Sequence, residues 1–502
     1  MTMQAIVRKN QYHDSVRLMT ISRQAGSLEG VNKILALMGT EGNKKVLKDL
    51  GLYNEMVDSA TPNDLVVCVD ADTGDGFNSA LKKVDDLLKS RTHGGPSEDR
   101  AARSLEEAVE QMPDANFALI SVPGEFAALE VMGALEKDIN VMLFSDNVSI
   151  EDEVFLKDLA MRKGLLMMGP DCGTAVINGI PFAFANMVRR GDVGIVGASG
   201  TGIQEVSCLI HRLGGGISHA IGVGGRDLSL EVGGRMMVTA IRKLAGDPST
   251  KSLVLISKSG APDSTRRVLT EAKKSGLPTV ICLLGKGNLP GDGGGLTFVN
   301  TLEDAAYRTA GKDKPEYGAD EDLTGEIGRL SEERKYLRGL YSGGTLCYEA
   351  LLIFKEAMKV HSNIGTGRKY TANGPRNFHY CLDLGDDEFT RSRPHPMIDS
   401  TLRREFFIQA YSDPKTRVVL LDVVLGYGAS ADPAGDMVAA LGKARAHAFG
   451  EGPVVMAHVC GTDEDPQSMK DQESKLREAG VFLFSTNAEA ARAAMAAIIS
   501  LS

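Results

Sequence analysis

One stretch constrains the fold of this 502-residue chain more than any other: Val193-Gly-Ile-Val-Gly-Ala-Ser-Gly-Thr-Gly-Ile-Gln-Glu-Val206. An apolar run breaks at Gly197 and resumes with helical spacing from Ile203. That pattern predicts a strand, a tight turn, and a helix whose first turn is Ser199, Gly200, Thr201 and Gly202. A helix start leaves backbone N–H groups unpaired and carries the positive end of the dipole, so small residues there make a ready anion site. The pattern occurs twice. Arg338-Gly-Leu-Tyr-Ser-Gly-Gly-Thr-Leu-Cys-Tyr-Glu-Ala350 places Ser342, Gly343, Gly344 and Thr345 in the equivalent turn.

The duplication runs further. Asp247-Pro-Ser-Thr-Lys-Ser-Leu-Val-Leu-Ile256 matches Asp413-Pro-Lys-Thr-Arg-Val-Val-Leu-Leu-Asp422, and Asn300-Thr-Leu-Glu-Asp-Ala-Ala-Tyr-Arg308 matches Ser485-Thr-Asn-Ala-Glu-Ala-Ala-Arg492. The domain at 191–312 and that at 336–502 therefore read as two copies of one flavodoxin-like unit, joined by a charged linker at 313–335. A pseudo-twofold pair would bring both helix starts to one interface, where they could hold a single anion. Both turns are expected to face the surface.

Ahead of the repeat, 99–190 reads as a β/α series of the Rossmann type. Strands are expected at 116–122, 140–145 and 164–174, with helices at 125–137 and 152–163. Ligands of such parallel sheets bind beyond the carboxyl ends of the strands. Pro123, Asp171, Cys172, Gly224 and Gly225 are the expected strand-end loop residues on that edge. Residues 1–98 read as a small α+β domain of ferredoxin-like type: a strand at 14–21, helices at 30–38 and 43–49, a strand at 64–71, a helix at 77–90 and a closing loop at 91–98.

Composition excludes several classes of function. Hydrophobic residues make up 43% and charged residues 24%, which suits a globular chain with a substantial core. A formal charge of -10 with no Lys/Arg-rich block argues against nucleic acid as a partner. No apolar run approaches the roughly 20 residues needed to span a bilayer, and 1–9 lacks the apolar core of a signal peptide, so the cytoplasm is the expected location. None of the seven cysteines forms a C-x-x-C pair, so neither a zinc site nor any other metal is expected. Cys172 and Cys347 lie in or beside glycine-rich turns, but no base for a nucleophile is identifiable.

Region 113–310 resembles the α subunit of succinyl-CoA synthetase, through Met168-Gly-Pro-Asp-Cys-Gly173, Gly191-Asp-Val-Gly-Ile-Val-Gly-Ala-Ser-Gly-Thr201 and Ile221-Gly-Val-Gly-Gly-Arg-Asp227. Region 336–500 resembles the carboxyl-terminal domain of the β subunit, through Leu382-Asp-Leu-Gly385, Val419-Leu-Leu-Asp-Val-Val-Leu-Gly426 and Gly452-Pro-Val-Val-Met456. Fused in this order behind a small N-terminal domain, without an ATP-grasp domain, they resemble the FdrA group of acyl-CoA-synthetase-like proteins. The resemblance implies a CoA-binding-type Rossmann domain at 99–190 and two ligase-type domains after it.

Departures from the synthetase shape the functional expectation. Its phosphorylated histidine sits in a Gly-His-Ala-Gly loop; the corresponding 285–295 holds no histidine, and His219 precedes a different turn. The glycine-rich loop that holds the CoA phosphates is also missing, so CoA is not assigned as a cofactor. The resemblance implies carbamoyl or acyl transfer to or from phosphate, of the type converting oxalurate and phosphate to oxamate and carbamoyl phosphate. Phosphate or carbamoyl phosphate is then a substrate, alongside a small acyl or carbamoyl compound, partner subunits and a possible homodimer. The alternatives are a succinate–CoA ligase-like subunit needing a separate ATP-grasp chain, and a non-catalytic scaffold. Arg226 and Lys258 are the candidate catalytic cations, with Arg376 a third basic residue of the same kind.

Overall fold

The computed structural model describes residues 2–11, 13, 15–26, 28, 30–89, 102, 104–285, 291–316, 321–365, 368–370, 377–390, 393–447 and 451–499. Two compact units divide the chain, Met1–Ala101 and Ala102–Ser502.

The first unit runs β1 (Thr2–Arg8), α1 (Ser15–Gly26), β2 (Val31–Met38), α2 (Glu41–Asp49), α3 (Glu55–Asp58), β3 (Leu65–Ala71) and α4 (Gly74–Lys89). β3 lies between β1 and β2 and is antiparallel to both, the split β-α-β arrangement of ferredoxin-like folds. Two local expectations fail. The stretch 14–21 is not a strand but lies mostly in α1, where Leu18, Ile21 and Ala25 are buried at helical spacing. The stretch 30–38 is not a helix but β2, where Ile34, Ala36 and Met38 alternate into the core. Such short apolar runs hold too few periods to separate a spacing of 3.6 from one of 2. The loop expected at 91–98 lies outside the described residues.

In the second unit the order is α5 (Leu105–Gln111), β4 (Phe117–Ile120), α6 (Gly124–Glu136), β5 (Asn140–Leu143), α7 (Ile150–Lys163), β6 (Met167–Met168), β7 (Thr174–Ile177), β8 (Ile180–Ala183), β9 (Arg190–Gly197), α8 (Gly200–Arg212), β10 (Ile217–Gly222), α9 (Arg235–Ala245), β11 (Ser252–Lys258), α10 (Pro262–Ser275), β12 (Thr279–Leu284), β13 (Leu296–Val299), α11 (Leu302–Thr309) and α12 (Glu321–Arg329). The second half follows with β14 (Tyr336–Tyr341), α13 (Gly344–Phe354), β15 (Val360–Ser362), β16 (Arg368–Lys369), β17 (His379–Asp383), α14 (Asp387–Thr390), α15 (Thr401–Ser412), β18 (Thr416–Val424), α16 (Pro433–His447), β19 (Val454–Cys460), α17 (Met469–Glu478), β20 (Phe482–Phe484) and α18 (Asn487–Ile499).

Three sheets result. A small parallel sheet has the order β4-β5-β6, and two seven-stranded sheets have the orders β13-β12-β11-β9-β10-β7-β8 and β16-β15-β17-β14-β18-β19-β20. Within each large sheet five parallel strands repeat one flavodoxin-like order: β10-β9-β11-β12-β13 and β17-β14-β18-β19-β20. Helices cover both faces, so central strands are apolar nearly throughout; all nine residues of β18 are buried. β7 and β8 depart from expectation. They form an antiparallel hairpin bonded to β10, so 174–183 belong to the first large sheet although they precede the expected boundary at 190. The expected linker at 313–335 contains α12, whose Leu323 and Ile327 are buried in a core common to both halves.

That core joins Ile195, Ile203 and Val206 to Leu337, Leu346, Ala350 and Phe354. Each such side chain stabilises the joint by about 1.5–3 kcal/mol when fully buried. Two glutamates reinforce it in a reciprocal way. Glu205 on α8 accepts the amide of Asn487 at the start of α18 (3.2 Å), while Glu349 on α13 accepts the amide of Leu302 at the start of α11 (2.7 Å). Each half therefore caps the last helix of the other; Glu205 does so at the end where the helix dipole favours an anion, whereas burial pushes the Glu349 carboxyl up to about 7. No helix among the described residues is long and apolar enough to cross a membrane.

Candidate functional site at the meeting of two helix starts

Both glycine-rich turns connect a central strand to a helix, β9 to α8 and β14 to α13, and the two turns are in contact. Ser199 Oγ lies 2.6 Å from Thr345 Oγ1, and the amide of Thr345 donates to Thr201 Oγ1 at 3.3 Å. Ser199 also caps its own helix by accepting the amide of Gly202 at 3.0 Å. These bonds leave the amides of Gly200, Thr201 and Gly344 without a protein acceptor among the described residues. Unpaired amides at helix starts are donors of the kind that hold anions.

The second turn differs from expectation in two respects. It does not face the surface: Ser342 is 2% exposed and Thr345 5%. It also holds an anion of its own. The Asp422 carboxylate, on β18, accepts the amides of Ser342 (2.8 Å) and Gly343 (2.7 Å) and the Ser342 hydroxyl (3.1 Å). Arg403 of α15 neutralises it, 2.7 Å from Oδ1. Ser342 and Gly343 thus serve an internal carboxylate, and Gly202 serves the cap. Of the eight residues expected to bind an anion, Gly200, Thr201 and Gly344 present free amides, with the Ser199 and Thr345 hydroxyls beside them.

The strand-end loops gather on the expected edge. Gly124, next to Pro123, packs against the backbone of Asp146 and Asn147, and the amide of Asp171 donates to Ser145 O at 2.9 Å. Gly224, at φ +85°, lies so close to the carbonyl of Pro170 that a Cβ would collide with it, and Gly225 sits beside the Asp171 carboxylate. Asp171 is exposed on this edge, with protein packed beneath it. Partial desolvation, with Asp146 and Asp387 nearby, pushes its carboxyl up to about 6 against the pull of Arg226 and Lys258. Cys172 is buried, its thiol pushed up to about 12 by desolvation, which is the state of an inert core cysteine.

The candidate cations separate. Arg226 is bound to Glu153 and to the carbonyl of Val148, both at 2.9 Å, and Glu153 pairs in turn with the buried Lys157. It ties the small sheet to the first large one. Lys258 stands exposed at the carboxyl end of β11, 5.4 Å from the ring centroid of Tyr348 on α13, with Asp171 and Asp383 both feeling its charge. His219 is engaged by Asp247 and by the amide of Asn178. Arg376 and 286–290 of the glycine-rich loop lie outside the described residues.

Two residues that sequence reasoning misses complete the site. Asp383, at the end of β17, places its carboxylate against Gly344. His395 stands over Gly385 with its ring tilted against Phe184 at a centroid distance of 5.7 Å, and burial lowers its imidazole to about 4, so it is neutral. Asp383 follows Tyr-Cys-Leu in an apolar strand, and an acid in such a run is a legible sign of a buried polar site.

Comparison with known proteins follows the same division of the chain. A CoA-ligase family model matches residues 340–497, a CoA binding domain model residues 188–284, and an AllF, heavy metal-associated domain model residues 1–104. The uncharacterized protein YahF of Escherichia coli (strain K12) is 42% identical over 97% of this chain and 97% of its own. The chain belongs to the FdrA family. The α subunit 2 of an ADP-forming succinate–CoA ligase from Archaeoglobus fulgidus is 30% identical over 32% of this chain and 55% of its own length. The FdrA-type chain spans about half the length of the ligase subunits it matches. A dinucleotide-forming acetyl-coenzyme A synthetase 1 of Ca. Korarchaeum cryptofilum aligns over 81% of this chain and 88% of its own, at 16% identity and a TM-score of 0.31.

The CoA-binding match at 188–284 covers the sheet that holds the first turn, rather than the expected 99–190. The FdrA-family chain is thus CoA-ligase-like, and these likenesses favour ligase over carbamoyl-transfer chemistry. The one cysteine of the N-terminal match, Cys68, is buried with its thiol pushed up to about 12 by desolvation, and no group of three His, Cys, Asp or Glu side chains able to hold a metal is present among the described residues.

Proposed function

We propose that this chain is a subunit of an acid–thiol ligase, in which the paired helix starts hold the phosphoryl group of an acyl phosphate while the acyl group is transferred. The observation that supports the reading is the 2.6 Å contact between Ser199 and Thr345, which joins the two turns that carry the free amides of Gly200, Thr201 and Gly344. Preorganised amides there stabilise charge on a phosphoryl oxygen without reorganising during reaction. Lys258 supplies an exposed cation and Asp171 a carboxyl able to exchange a proton. CoA is the acyl acceptor on this reading, and a separate chain supplies ATP chemistry; the relatives' names, which denote subunits of ADP-forming ligases, support both points.

Carbamoyl transfer to phosphate is the second reading. The absence of histidine from 285–295 favours it, because carbamoyl phosphate needs the oxyanion site but no phosphohistidine. Calorimetric titration of the whole chain with CoA, inorganic phosphate and carbamoyl phosphate tests both. Binding of CoA together with phosphate supports the ligase, and carbamoyl phosphate without CoA supports the transferase. Binding of none of the three removes the enzymatic reading.

A further inference from the structure

We propose that Asp383 sets the anion specificity of the shared site by sharing one proton with the bound oxyanion, so that at alkaline pH the site admits hydrogen phosphate and rejects sulfate. The inference rests on the reading of the paired turns as an oxyanion site. Its basis is an acid placed where an anion should go. Asp383 is 6% exposed; its Oδ1 accepts the amide of Gly385 at 2.9 Å, while Oδ2 has no protein donor among the described residues. A Cβ on Gly344 would collide with Oδ2, so this unpartnered oxygen looks onto the helix start whose Gly344 amide is free.

The surroundings do not neutralise it. Lys258 at the end of β11 faces Asp383 without forming an ion pair. Asp386, in the loop after β17, and Asp422, on β18, are like charges, although Arg403 of α15 offsets Asp422. Asn363, after β15, binds only the backbone of Asp383, and His395, beside Gly385, is uncharged. Burial and the two acids push the Asp383 carboxyl up to about 7, against Lys258. An ionised Asp383 repels a dianion at the same helix start, and one proton between them turns repulsion into a hydrogen bond. Hydrogen phosphate carries that proton at alkaline pH; sulfate does not.

The test is calorimetric titration of the full chain with sulfate and with inorganic phosphate at about pH 6 and about pH 8.5. For a group titrating at about 7, sulfate affinity should fall about 30-fold between the two conditions. Phosphate should lose no more than a few-fold. Asp383→Asn should flatten the sulfate profile and abolish the preference for phosphate at alkaline pH. Equal decline of both anions, or an unchanged sulfate slope in Asp383→Asn, overturns the proposal while leaving the site itself intact. If neither anion binds at about pH 6, the oxyanion site falls and the proposal with it. A second readout needs no variant: at about pH 7.5, sulfate binding in two buffers of different ionisation enthalpy should reveal uptake of about 0.8 proton. No uptake with sulfate overturns the assignment.

Discussion

Replacing Glu205 by Gln tests how the two halves are joined. Glu205 Oε2 lies 2.7 Å from His458 Nε2, both side chains 1% exposed, and His458 Nδ1 is 3.1 Å from the carbonyl of Phe484. Burial raises the Glu205 carboxyl, but the His458 charge and the bonds from His458 and Asn487 outweigh it and leave it below its usual range. Burial lowers the His458 imidazole, but Glu205 outweighs that and leaves it raised. The raised histidine stabilises the fold below its unfolded value of 6.5, and that contribution is lost as pH rises through its folded value. The depressed carboxylate stabilises above 4.5, and that contribution is lost as pH falls through its folded value. The pair therefore contributes most between those two values.

Glutamine keeps an oxygen for the Asn487 amide and offers an N–H to Nε2 of a neutral His458, so at alkaline pH the exchange satisfies every partner. At about pH 5.5 the variant must hold His458 neutral one unit below its unfolded value, which costs about 1.4 kcal/mol. Loss of the ion pair adds to this, with breakage of a buried pair costing about 3–5 kcal/mol at most. The expected deficit is about 2–4 kcal/mol at about pH 5.5, read from urea unfolding, and it shrinks as pH rises. A deficit that is independent of pH, or one that grows toward alkaline pH, would refute the buried ion pair.

Two further perturbations probe the turns. Ser199→Ala removes both the cap on Gly202 and the contact to Thr345, so it should lower stability by about 1 kcal/mol and weaken phosphate binding; unchanged phosphate affinity would separate the cap from the site. Arg403→Met strands the Asp422 carboxylate under the second turn and should cost about 3–5 kcal/mol in urea unfolding, whereas a loss below about 1 kcal/mol would mean that the amides of Ser342 and Gly343 suffice.

Where the sequence was legible, it was so because backbone geometry demanded particular residues. The Ser199 and Ser342 turns stood out as small residues between an apolar strand and a helix, and the order of matching pieces announced the repeat. Partners distant in sequence were not legible. Asp422 reaches Ser342 across 80 residues, so nothing local says that the second turn is already occupied by a carboxylate. Its position within Val-Val-Leu-Leu-Asp-Val-Val was the available signal, because an acid in a fully buried strand needs a built partner. The β7–β8 hairpin had a local signal as well. Asn178-Gly179 between two apolar runs is the two-residue turn that right-twisted strands favour, and both residues have positive φ, 54° and 80°. In the N-terminal unit, 14–21 and 30–38 were misassigned because tertiary packing, not local propensity, decides runs of that length.

The central claim is that one oxyanion lies between two helix starts contributed by two halves of the chain. Its most direct test is a crystal of the full chain soaked with tungstate, a tetrahedral dianion located by its anomalous scattering. The account predicts a single peak within hydrogen-bond reach, about 2.7–3.2 Å, of the amides of Gly200, Thr201 and Gly344 together. No peak there, or an anion held by one turn and out of reach of the other, would contradict it.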